Sequence, residues 1–131
     1  MDEKDIKIFE INETNDERDT VVFQSVIEVE GQKLPTALIT DNSVFSLIRV
    51  QIAPMAIKET NKSDLLDLMN EENAQYKPFK VYCDKTGSLL MDACLVSEDG
   101  SLNGDTVYMM FGVVINYLEQ SYGNIMKIIW K

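Results

Sequence analysis

The sequence predicts an α+β fold in which an antiparallel β-sheet, made of a three-stranded meander plus a hairpin, is flanked by two helices. Residues 21–54 hold three β-rich runs divided by turn formers, and residues 64–76 and 105–122 repeat apolar side chains at helical spacing. Between those helices, two more β-rich runs are joined through a glycine turn. At 131 residues, with 45% apolar and 26% charged side chains, the chain fits one globular domain with its own core.

Residues 1–20 read as an acidic, peripheral N-terminal segment, and residues 21–131 as the single α+β domain. Eight acids against three bases give that segment half of the formal net charge of −10. Ile6, Ile8, Phe9 and Ile11 could dock it as an edge strand or a short helix, and their mixed spacing leaves both open.

The meander is "VVFQSVIEV", the turn "EGQK", "LPTALIT", the turn "DNS" and "VFSLIRVQIAP". Pro54 closes the third strand because it has no N–H for a ladder. Pro35 is awkward near the start of the middle strand and points to a bulge or a late start. Asn61 and Ser63 then offer N-caps to "DLLDLMNEENAQY", where Leu65, Leu66, Met69 and Tyr76 recur at helical spacing. Asn73 shares that face and needs partners, which a neighbouring loop or an exposed strand edge would supply.

The hairpin is "FKVYCDKTGSLLMDACLV", turning through Asp84, Lys85, Thr86 and Gly87, with Gly87 free to take positive φ. Its register separates Cys83 from Cys94 by roughly 15 to 20 Å, too far for a disulfide. Both are read as reduced core residues. In the last helix Asp105 is the expected N-cap and Gly123 the stop, after which "NIMKIIWK" packs back as a short helix or strand.

That helix carries more apolar surface than one sheet-facing stripe requires. Val107, Phe111, Val114 and Leu118 make the stripe, with Ile115 and Tyr122 beside it. Met109, Val113 and Tyr117 run along the flank of the polar side marked by Gly112, Asn116, Glu119 and Gln120. Either the tail or the N-terminal segment covers this flank, or it belongs to an interface. Burying its three large side chains would contribute on the order of 4 to 8 kcal/mol before association costs.

The chemistry-bearing patterns are absent. There is no histidine, no phosphate-binding glycine loop and no nucleophile elbow, so no enzyme activity and no cofactor are expected. "EDGSLNGD" has its oxygens out of order for a calcium loop. Asp64, Asp67 and Glu71 share a helix face but read as a solvated acidic surface. The pI near 4.3 argues against nucleic acid and anionic membranes as partners. The acidic, polar start is unlike a secretory signal, so a cytoplasmic home is expected.

Leu68, Asn70 and Asn73 in the first helix, Gly87 in the hairpin turn and the helix at 106–122 are similar to the YbjN family, described as bacterial sensory transduction regulators. The resemblance spans roughly residues 21–125. It implies a type III secretion chaperone-like fold, often dimeric and non-enzymatic, that holds another chain through apolar grooves. Those proteins usually begin with an amphipathic helix, and residues 1–20 do not read as one.

The expectation is therefore a protein-binding or chaperone-like regulatory domain, homodimeric through Met109, Val113, Asn116 and Tyr117, with Asn70 and Asn73 as structural polar anchors. The alternative is a small-molecule or metal-ion sensor using the acidic face of Asp64, Asp67 and Glu71, or a pocket between sheet and helix.

Overall fold

A computed structural model of the chain describes residues 20–97 and 104–130, and the backbone of residues 7–13. The elements are β1 (Lys7–Glu13), β2 (Val21–Val29), β3 (Gln32–Thr40), β4 (Phe45–Ala53), α1 (Lys62–Gln75), β5 (Phe79–Cys83), β6 (Leu89–Val96) and α2 (Gly104–Ile129). The strands form one antiparallel sheet in the order β1-β2-β3-β4-β6-β5. The meander, the hairpin and the two helices are all present. The sheet also takes in residues 7–13 as an edge strand, so it begins inside the segment read as peripheral. The loop "EDGSLNGD" falls largely outside the described residues.

Each turn follows from its residues. Glu30 and Gly31 both have positive φ, at 48° and 79°, the two-residue geometry that matches strand twist. Val29 faces Gln32 across it, and hydrogen-bonded pairs alternate from there. Pro35 consequently sits at a pair with Val26 where its nitrogen points away from β2. On the other side the β3–β4 register begins only at Thr36 opposite Val50, so the missing N–H breaks no ladder. Pro35 thus lies within the strand, causing neither a bulge nor a late start. Pro54 ends β4 at Ala53 as expected.

The hairpin turn is built by Asp84, whose Oδ1 accepts from the Thr86 N–H at 2.9 Å, the Ser88 N–H at 3.1 Å and the Thr86 hydroxyl at 2.6 Å. The hydroxyl bond, with those N–H bonds behind it, holds the Asp84 carboxyl below its ordinary pKa. Gly87 has φ of 81°.

Alternation along the strands points Ile27, Val29, Leu34, Ile48, Val50 and Met91 to one side, where they are buried with the helices in a single core. α2 lies across β2 and β6, while α1 packs against β5 and α2. The buried stripe of α2 is Val107, Phe111, Val114, Leu118, Tyr122, Ile125 and Ile129, with Tyr117 beside it. It continues straight through Gly123, so the helix does not stop there. One exposed glycine costs about 1 kcal/mol, less than Ile125 and Ile129 return by burial at 0% and 5% exposure. Asp105 consequently lies in the first turn of α2 and is not its cap.

In α1 the buried residues are Leu65, Leu68 and Met69, and Leu66 is turned out at 46% exposure. Asn61 precedes the helix but makes no side-chain cap. It is 1% exposed and ties other segments together: its Nδ2 donates to the Ala56 and Ile129 carbonyls at 2.9 and 3.0 Å, and its Oδ1 accepts from the Lys58 N–H at 2.7 Å.

A Cβ at position 87 would stand 3.0 Å from Ile57 Cγ2 in a backbone conformation that L residues disfavour. Gly87→Ala is therefore expected to destabilise the fold by about 1 to 2 kcal/mol, read as a lower urea midpoint with an unchanged slope.

Candidate interaction surface

Chemistry-bearing groups are not gathered anywhere among the described residues. No three His, Cys, Asp or Glu side chains are placed to hold a metal ion. Asp67 and Glu71 are exposed on α1, and Asp64 is half-buried with a partner of its own. Cys83 and Cys94 are both free thiols, placed at opposite ends of β6 by the hairpin register. They are not both core residues: Cys83 is half-buried and Cys94 is exposed, because Cys94 alternates onto the side away from the helices. Burial, helped by the charge of Asp84, pushes the Cys83 thiol up, so it is a poor nucleophile.

Among the described residues no helix lies over that second side of the sheet. Val22, Val26, Ile39 and Leu47 are half-buried on it, and Phe45 and Val96 stand opposite each other at 56% and 65% exposure. Lys33, Arg49 and Lys80 on β2 to β6 face it against Glu28 and Asp92, and the turn residues Asp41 and Asp84 line hollows on the same side. In a chain of net charge −10 bases and acids are close to balanced there.

Its polar centre is closed on itself. Arg49 clamps Asp92 with both arms, Nε to Oδ1 at 2.8 Å and Nη2 to Oδ2 at 2.9 Å, and the Tyr82 hydroxyl donates to Oδ2 at 2.8 Å. Asp92 is only 4% exposed, although no helix covers it. The bond to Asp92 raises the Arg49 pKa further above its usual value, and burial, then Asp92, pushes the Tyr82 phenol up to about 12. A bidentate pair already matched in place adds no unpaired charge when water is removed over it. Sequence reasoning passed over this trio. The signal was one charge of each sign interrupting the apolar strands "FSLIRVQIA" and "LLMDACLV".

The flank of α2 divides. Met109 and Val113 are 61% and 39% exposed, and Asn116 is exposed beside them. The last turns of α2 run on as helix and do not fold back over them. Tyr117, expected in the same patch, belongs to the interior at 3% exposure. Its ring packs against Tyr76 and Phe79 with centroids at 5.0 and 4.6 Å, and its hydroxyl donates to Glu72 Oε1 at 2.8 Å. Docking of α1 on that side decides the matter, because a long side chain near the edge of the stripe can reach the neighbouring helix.

Of the two expected anchors, Asn73 is one. Its Nδ2 donates to the Val81 carbonyl at 3.0 Å and its Oδ1 accepts from the Val81 N–H at 2.7 Å, closing part of the free edge of β5. Asn70 is exposed and makes no such bond among the described residues.

Arg49→Ala would leave the Asp92 carboxylate buried with Tyr82 alone, and a loss of about 3 kcal/mol is expected in chemical denaturation. The Tyr82 phenol keeps its proton to about pH 12 in the fold, whereas in the unfolded chain it ionises near pH 10. Its preference for the folded state is therefore complete below pH 10 and lost between about 10 and 12. The melting temperature should fall across that window, and Tyr82→Phe should lessen the fall.

No helix among the described residues is long and apolar enough to cross a membrane. No family model matches the chain, and no curated protein matches it.

Proposed function

We propose that this chain is a non-enzymatic protein-binding domain that acts in the cytoplasm as a homodimer, and that the uncovered face of the sheet is its binding surface. The observation that carries this reading is the near balance of charge on that face, with Lys33, Arg49 and Lys80 against Glu28 and Asp92 on the strands and Asp41 and Asp84 at its margins, in a chain of net charge −10. Two such faces can meet without the repulsion that the rest of the surface would impose.

Size is consistent with this. The forty residues of β2 to β6, at about 3.3 Å along and 4.8 Å between strands, cover on the order of 630 Å², somewhat below the roughly 800 Å² per partner of a standard interface. Phe45, Leu47 and Val96 supply the apolar contact, and the Arg49–Asp92 pair needs no partner from outside. The free thiols suit a reducing compartment. The similarity to chaperone-like proteins of the YbjN family agrees with a role in holding another chain. Met109, Val113 and Asn116 form a second, smaller patch for a further partner.

Light scattering coupled to size exclusion, run over a concentration series, tests the reading. The wild type is expected to be a dimer, Phe45→Asp and Val96→Asp monomers with unchanged circular dichroism, and Val113→Glu still a dimer. A wild type that stays monomeric at high concentration overturns self-association. A dimer that survives Phe45→Asp but not Val113→Glu moves the interface to α2.

A further inference from the structure

Where the β3–β4 register ends at Thr36 and Val50, the two strands part, and a cleft opens between them. Pro35 has no N–H to offer β4, and the β4–β6 register slips between Gln51 and Ala53. The C-terminal turns of α2 close the cleft from behind. Leu34 and Ile52 form its strand walls and Met126 and Ile129 its helix wall, while Met55 and Trp130 line it at 75% and 77% exposure. The volume is about 440 Å³, within the range of small-molecule sites rather than of a docked domain.

Two properties make this a site rather than a gap. Among the described residues its charged lining is Lys33 and Lys58, with no carboxylate, although the chain has 22 acids to 12 bases. Its frame is also tied in place. Asn61 links the Lys58 N–H and the Ala56 carbonyl to the Ile129 carbonyl at the end of α2, and the Met55 N–H donates to Ser88 Oγ at 3.2 Å. Met55 is held at a φ of 49°, unusual for a side chain of its size. Lys58 Nζ stands 5.2 Å from the centroid of the Trp130 ring. A preformed cleft of this kind loses little order on binding.

We infer that the cleft between β3, β4 and the end of α2 binds a medium-chain aliphatic carboxylate, with Lys33 and Lys58 taking the carboxylate and the aliphatic walls taking the chain. The unbranched Met126 and Met55 side chains suit a flexible alkyl body. The cleft shares Lys33 with the open sheet face but none of Phe45, Leu47 or Val96 lines it, so binding read at Trp130 and association read by light scattering fail independently.

Trp130 is the only tryptophan in the chain, so its fluorescence reports this cleft alone. Titration of the full chain with octanoate is expected to give a saturable change, with 1-octanol at least about tenfold weaker, the factor expected when a charge-assisted hydrogen bond is lost. Lys33→Gln combined with Lys58→Gln should weaken octanoate by a similar factor while leaving the far-UV circular dichroism unchanged. The inference is overturned if octanoate produces no saturable change, if octanol binds as well as octanoate, or if the double variant binds octanoate as the wild type does.

Discussion

One apolar stripe on α2 organises the molecule. From Val107 to Ile129 it recurs every three or four residues, long enough to lie across the sheet from β2 to β6 and bury that side under one helix. α1 completes the cover over β5. With both helices on one side, no helix among the described residues shields the other, and the alternation of the strands determines what is left there. Antiparallel sheets tolerate this arrangement because one face can be apolar and the other wet.

The open side is not an ordinary wet face. Its central charges are consumed in the Arg49–Asp92–Tyr82 cluster, and its margins carry Phe45 and Val96. A solvated face in so acidic a chain would be expected to share the excess of carboxylates. The strands β2 to β6 contribute Glu28 and Asp92 to this side, whereas α1 alone carries Asp64, Asp67, Glu71 and Glu72. Like charges repel over the acidic parts of the surface, and the near balance on this side lessens that repulsion locally.

The far end of the sheet is held by a relay of backbone and side-chain bonds. The Gly87 carbonyl accepts from the Ala56 and Ile57 N–H groups at 2.8 and 3.1 Å, the Ala56 carbonyl accepts from Asn61, and Asn61 reaches Ile129. The hairpin turn, the loop after β4 and the end of α2 thus share one frame. It also gives a buried asparagine a full set of partners.

Local chemistry sufficed for the meander, the hairpin and their turns, but left residues 7–13 open between strand and helix. Period-two runs, Gly31 and Gly87 at positive φ, and Pro54 at a strand end are signals a few residues long, and a strand or hairpin answers to them directly. Part of the site was legible in the same way: the capture of a strand edge by Asn73, while the cover of Met109 and Val113 was left open. Other decisions belong to contacts distant in sequence. Whether α2 stops at Gly123 depends on the burial awaiting Ile125 and Ile129, not on the glycine. Tyr117 is interior because α1 docks beside it, and Asn61 is a tie because α2 ends nearby. Which side of the sheet the helices cover, and so the existence of an open face with paired charges, is a property of packing that no short window of sequence contains. Apolar periodicity alone determined the elements; only the tertiary structure decided which of their surfaces remained to be used.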